Sequence, residues 1–124
     1  MKTKEISLMY NQKKFKINLK VCNFFERFSG LMFCSRQKAR ALLFEFKKPT
    51  KIKIHSLFVF FPFLGLWLDD KNQILCLRVV NPFTFSVDFH KKFRRFVEIP
   101  INLRYRKIVL LLVGNSNYSK DLKT

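Results

Sequence analysis

The chain is short of glycine, of acid and of any long apolar run, and each shortage excludes something. Its 124 residues hold three glycines, Gly30, Gly65 and Gly114. No glycine-rich phosphate cradle can be built from them, so P-loop and dinucleotide-binding chemistry are excluded, and no nucleophile elbow is present. The three cysteines, Cys22, Cys34 and Cys76, are odd in number and widely spaced, with no CxxC or Cys/His cluster. That pattern argues against a zinc site and a disulfide framework, and leaves buried free thiols of a reducing cytosol. The longest uncharged run, Ser56–Leu68, is broken by Pro62 and Gly65 and falls short of the roughly 20 residues that span a bilayer. The N-terminus alternates and carries charge where a secretory signal needs an apolar stretch. The expectation is a cytoplasmic protein with no transmembrane segment, no cofactor and no metal, of unknown oligomeric state.

Acid is the scarcest charge: 8 Asp+Glu stand against 25 Lys+Arg, a formal net charge of +17. Such a field draws phosphate polymers and anionic surfaces toward the chain. Lysine outnumbers arginine by about two to one, however, and specific phosphate or base recognition favours the arginine fork. Nonspecific attachment to nucleic acid at low salt is the plainer consequence, and the excess also reads as lysine written at every solvated position.

Aromatics are abundant instead. Sixteen phenylalanines and 48% apolar residues point to one folded domain over residues 1–124 with an aromatic-rich core. Glu5–Tyr10 and Lys14–Val21 read as a hairpin across Asn11-Gln12. In the second arm Phe15, Ile17, Leu19 and Val21 alternate with Lys14, Lys16, Asn18 and Lys20, a half-buried strand with a lysine face. In the next stretch, FFERFSGLMF, Asn23 and Glu26 resemble a capping box, Phe24 and Phe28 share a helical face, and Gly30 suits a helix C′ position of positive φ. Leu31 and Met32 then enter the core, and a second brief helical or turn segment is expected over Ser35–Arg40. Strands follow at Ala41–Phe46, Lys51–Phe60, Phe63–Leu68, Gln73–Val80, Phe83–Phe89, Phe96–Ile99 and Lys107–Val113. The last is a near-continuous apolar run suited to a strand buried on both faces. Ser116–Thr124 is a polar tail that frays. Short strands with scraps of helix make the fold class mainly β: a small sandwich or barrel-like sheet with one or two short helices.

The order of these signals resembles the domain-of-unknown-function family number 192, small prokaryotic proteins without an established activity. The resemblance spans about residues 26–115. It is carried by Glu26-Arg27 with Gly30-Leu31-Met32-Phe33, Leu42-Leu43-Phe44-Glu45-Phe46, Ile54-His55, Phe60-Phe61-Pro62, Trp67-Leu68-Asp69, Asn81-Pro82-Phe83, Val97-Glu98-Ile99-Pro100 and Val113-Gly114. It implies a compact, mainly β domain, with Gly30, Leu31, Met32, Pro62, Trp67, Pro82 and Gly114 as its structural motif. Four departures stand out. Phe63-Leu64 replaces the family's Ile/Leu-Asp, Ser56 replaces Met, Pro100-Ile101-Asn102 replaces Pro-Ala-Gly, and Gly114-Asn115 replaces Gly-Asp. Leu64 and Asn115 thus leave two acidic positions neutral, and if the family's activity uses either carboxylate, this member is impaired or does something else. Asn102 is expected to take positive φ in glycine's place.

Candidate chemistry follows from the motif residues. An unperturbed imidazole changes charge near neutrality, so His55 could act as a base if Glu98 or Asp69 partnered it; otherwise it ends a row of outward lysines. Asp69-Asp70 could hold a divalent cation, or open a turn by accepting backbone N–H bonds. Arg27 and Glu98 could form an anion pocket or a surface pair. Lys91, Lys92, Phe93, Arg94 and Arg95 interleave cations with a ring, as single-strand binders do, or form a loop entering a strand. The best reading is a noncatalytic module binding a small anionic or peptide-like ligand near Arg27, His55, Asp69 and Glu98. Nucleic-acid binding through the basic face is the alternative, and a hydrolase using His55 and Glu98 the weaker one.

Overall fold

The computed structural model describes residues 2–22, 31, 34–56, 58–84 and 86–114. Six strands and one helix account for its regular structure: β1 Thr3–Tyr10, β2 Lys13–Val21, β3 Leu42–Thr50, β4 Phe63–Leu68, β5 Ile74–Val80, β6 Phe93–Pro100 and α1 Arg106–Val113. They make one sheet in the order β1-β2-β3-β6-β4-β5, with every neighbouring pair antiparallel except β2-β3. The sheet curls into a half-barrel. The end of β1 reaches the β4-β5 turn, where the Met9 N–H donates to the Asn72 carbonyl at 3.1 Å.

Local chemistry explains the turns. Asn11 and Gln12 take φ of 51° and 65°, the paired left-handed conformation of a two-residue hairpin turn that matches strand twist. The β4-β5 turn is closed by the Asp69 carboxylate, whose Oδ1 accepts from the Lys71 N–H at 2.8 Å and the Gln73 N–H at 2.9 Å.

The central strands β4 and β6 are largely buried on both faces, and the faces differ. The inner face is aliphatic: Ile6, Leu8, Ile17, Leu19, Leu43, Leu64, Leu66, Val97 and Ile99 pack beneath Val109 and Leu112 of α1. The outer face is aromatic: Phe44, Phe61, Phe63, Trp67, Phe93 and Phe96 pack with Leu31 and Leu42. Trp67 and Phe96 lie 4.9 Å apart between centroids. A Cβ on Gly65 would sit 3.1 Å from the Phe96 ring and 3.3 Å from Trp67, so the missing side chain lets these rings close over the sheet.

Two loops hold the aromatic layer down through Ser56, which is wholly buried. Its hydroxyl donates to the Asn81 carbonyl at 2.6 Å and accepts from the Thr84 N–H at 2.7 Å. Phe58 and Phe83 take φ of 62° and 60°, which costs a bulky residue energy that the Ser56 bonds help to offset.

Three expectations are corrected. Lys107–Val113 is not a strand but most of α1. Lys51–Phe60 and Phe83–Phe89 are not strands either; they are loops joined by one isolated bridge, Ile54 to Val87. β3 runs past the expected end at Phe46, on through residues 47–50. Among the described residues there is one helix, and within Ser35–Arg40 the chain makes a turn over residues 36–38. The helix expected before Gly30, with Gly30 and Met32 themselves, and the tail from residue 116 lie outside the described residues. Of the other motif positions, Leu31 and Trp67 are buried, Pro62 and Pro82 are half-buried, and Gly114 ends α1.

Gly114 takes φ 74° and its N–H donates to the Leu110 carbonyl at 2.9 Å. No atom lies within 4 Å of where its Cβ would stand, so Gly114→Ala should cost only the backbone term, about 1 kcal/mol. Denaturant unfolding would measure it; a loss above about 3 kcal/mol would contradict this account.

Candidate functional site

The segment that leads into α1 is fixed by a buried asparagine. Asn102 is fully enclosed. Its Nδ2 donates to the Arg36 carbonyl at 2.7 Å and the Ala39 carbonyl at 3.1 Å, and its Oδ1 accepts from the Tyr105 N–H at 3.3 Å. Arg36 Nε donates to the Ile101 carbonyl at 2.7 Å, and the Ala41 N–H donates to the Tyr105 hydroxyl at 2.7 Å. Residues 36–41 and 101–105 are thereby held together, and Arg40, Arg104 and Tyr105 are set in place. Asn102 is not among the residues of positive φ. The sequence reading mistook its role: it is there for its amide group, not for its backbone freedom.

Opposite this wall runs β2. It pairs with β1 along its whole length but with β3 only at Lys20-Leu42 and Val21-Leu43. Between β2 and the wall formed by Arg40, Ala41, Arg104, Tyr105 and α1 lies an open groove of about 620 Å³. Six cations line it: Lys14, Lys16, Lys20, Arg40, Arg104 and Lys107, with no acid among the lining residues. Its floor is apolar, with Phe15, Ile17, Leu19, Ile108 and Leu111; Leu111 is 56% exposed.

Two solved structures share this fold. One is a candidate transcription regulator from Sinorhizobium meliloti 1021, at TM-score 0.70 and 16% identity over 80% of this chain and 81% of that one. The other is a protein of unknown function from Novosphingobium aromaticivorans DSM 12444, at TM-score 0.66 and 11% identity over 79% and 73%. At these identities the likeness is one of fold. No family model and no curated protein matches the chain.

Of the residues singled out in the sequence, His55, Asp69 and Glu98 do not line the groove, and Arg27 lies outside the described residues. His55 is half-buried beside the Ile54 bridge. Asp69 is engaged in its turn, four residues along β4 from Gly65, which pairs with Glu98. The two carboxylates are therefore separated by roughly 13 Å along the strand direction. Lys91 and Lys92 are exposed, but Phe93 is 2% exposed, packed edge-on to Phe46 and not offered to a base. Arg94 and Arg95 are half-buried, and Arg95 Nε is bonded to Glu45 at 3.2 Å. Among the described residues no group of three or more His, Cys, Asp or Glu could hold a metal ion, and no helix is long and apolar enough to cross a membrane.

Two carboxyls are perturbed, in opposite directions. Partial burial would raise Glu45, but hydrogen bonds and charge from Arg95 and Lys4 outweigh it and hold its pKa below the usual value. Glu98 is buried on the aromatic face, its Oε1 has no hydrogen-bond partner, and burial pushes its pKa up to about 8. The fold accepts Glu98 as the neutral acid. Between its ordinary value of 4.5 and about 8 the folded chain keeps a proton that the unfolded chain has lost. Stability from this group is therefore greatest below pH 4.5 and declines as pH rises to about 8, by roughly 1.4 kcal/mol per pH unit at most. Glu98→Gln should flatten that decline, so thermal melts of the two proteins should diverge steadily from about pH 5 to pH 8. Parallel curves would show that Glu98 is ionised in the fold.

Proposed function

We propose that this small β domain is a noncatalytic binding module whose ligand is anionic and seats in the groove between β2 and α1. The observation that carries the reading is the lining: six cations, no acid and an apolar floor in one open groove. Converging positive charge focuses potential in a concave site and attracts an anion before contact. An apolar floor with polar groups at its rim is the usual form of a ligand site. Kinship with the domain-of-unknown-function family number 192 belongs to the same proposal. It is supported by the ordered motifs from Leu42 to Gly114, which fall on β3 to the end of α1.

A catalytic reading has less support. His55 and Glu98 were its candidates, and Glu98 is buried at 6% exposure under the aromatic layer, where a substrate has no route shown. Leu64, where the family has an acid, is wholly enclosed in the aliphatic core. Nucleic acid is the second reading for the groove, because one protein of this fold is described as a candidate transcription regulator. Against it, both rings lining the groove, Phe15 and Tyr105, are half-buried, and the Tyr105 hydroxyl is tied to the Ala41 N–H. Stacking on single strands needs exposed ring faces.

Lys16, Arg104 and Lys107 are exposed, so their reversal should not disturb the core. Titration of ¹⁵N-labelled protein with inorganic tripolyphosphate and with a hexaglutamate peptide should shift the amides of Lys14–Lys20, Arg40 and Arg104–Leu111. The triple variant Lys16→Glu/Arg104→Glu/Lys107→Glu should bind both probes at least about tenfold more weakly at low salt. Shifts confined to Lys91–Arg95, or a variant that binds as before, would overturn the reading.

A further inference from the structure

The groove runs along a strand edge whose backbone is open. The Val21 N–H donates to the Lys2 carbonyl, one residue ahead of β1, and the Lys20 N–H donates the other way, to the Ala41 carbonyl at 2.9 Å. Bonds of an antiparallel ladder alternate with period two. Lys13, Phe15, Ile17 and Leu19 therefore bond to β1, and the N–H and C=O of Lys14, Lys16 and Asn18 point into the groove. β3 takes up this edge only from Lys20 onward. Among the described residues no backbone group pairs with Lys14, Lys16 or Asn18.

We infer that the groove takes an extended acidic peptide segment, which adds as a strand to the free edge of β2. This rests on the anionic-ligand reading and specifies its ligand. An open edge supplies main-chain hydrogen bonds to any extended chain, and the side chains beside it select the sequence. Three residues with outward N–H and C=O groups offer six such bonds, enough for a segment of about six residues, roughly 20 Å long.

Side-chain alternation sets the pattern of that segment. On the outer face its residues stand across from Lys14 and Lys16, where acids make favourable cross-strand pairs. On the inner face they stand toward the half-buried Phe15 and Ile108 and the exposed Leu111, where apolar groups cover surface now open to solvent. The occupant alternates acidic and apolar residues, and Arg40, Arg104 and Lys107 on the far wall add to the attraction. A second copy of this chain is disfavoured, since two β2 edges would oppose their lysines under a net charge of +17 on each molecule.

The test compares four probes on the full chain: an alternating Glu/Val hexapeptide, the same peptide N-methylated at alternate backbone amides, tripolyphosphate, and a single-stranded DNA oligomer. Strand addition predicts that the unmodified peptide binds at least tenfold more tightly than its methylated form, and that it slows hydrogen exchange at the Lys14, Lys16 and Asn18 amides. Asn18→Pro removes one outward N–H and no bond to β1, and should weaken the peptide at least tenfold while leaving tripolyphosphate unchanged. If that variant does not fold, the methylated peptide gives the same discrimination. Equal binding of both peptides without amide protection overturns strand addition and leaves the anionic-ligand reading standing. Tighter binding of DNA than of the peptide, or slow exchange at these amides before any ligand is added, also overturns it. Failure of all four probes overturns both readings.

Discussion

The buried amide of Asn102 is the contact on which the rest of the architecture turns. It donates to residues 36 and 39 across the junction between residues 36–41 and 101–105, two segments distant in the chain, and accepts from Tyr105 within its own segment. By holding the backbone there it ends β6, turns the chain at Tyr105 and starts α1 over the open side of the half-barrel. The same bonds place Arg40 and Arg104 opposite β2. A residue that could not satisfy both carbonyls would leave buried acceptors bare, at about 1–3 kcal/mol each. The groove is thus a product of the clamp: one wall is β2, and the other is what Asn102 holds in place.

Scarcity of acid becomes meaningful once the acids are located. Glu45 is engaged by Lys4 and Arg95. Asp69 closes the β4-β5 turn, and Asp88 accepts from the His90 N–H at 2.8 Å to shape the loop before β6. Glu98 is buried. Four of the described acids therefore serve local structure, and none of them lines the groove. The excess of lysine in the composition is in this sense not evenly spread. Lys13, Lys14 and Lys16 stand exposed along β2, where a charged edge also discourages pairing with the wrong chain.

How much of this could be read from the sequence depends on whether the deciding interactions were local. The β1-β2 hairpin and the lysine face of β2 were legible because alternation and the Asn11-Gln12 turn lie within a short window. The β4-β5 hairpin was legible for the same reason, through Asp69. Lys107–Val113 was not. An unbroken apolar run of that length has no period to separate strand from helix. What decided it was remote: the Asn102 clamp ahead of it and the cap at Gly114 behind. The loops at residues 51–62 and 81–92 looked like strands because their apolar residues alternate. Yet those residues cover an aromatic layer through Ser56 instead of joining a ladder. The groove was invisible for a stronger reason. It exists where β2 and β3 fail to pair, and a gap between strands leaves no mark on either. Attention went instead to His55, Asp69 and Glu98, whose titratable groups attract notice anywhere.

The two-faced sheet explains why a site would lie at its margin at all. From Phe96 to Pro100, β6 is buried without a break, and β4 is buried along its whole length. Central strands covered by aromatic rings on one side and an aliphatic layer on the other have no polar surface to present. Function is left to the places where the layers stop, and one of these is the side on which β2 parts from β3. There Leu111, with the half-buried Phe15 and Ile108, reaches the surface between the lysines of β2 and Arg40, Arg104 and Lys107, beside a backbone edge with bonds to give. Charge selects acid, the exposed layer selects apolar groups, and the edge selects an extended chain. These are three independent physical demands, and one segment of peptide meets them together.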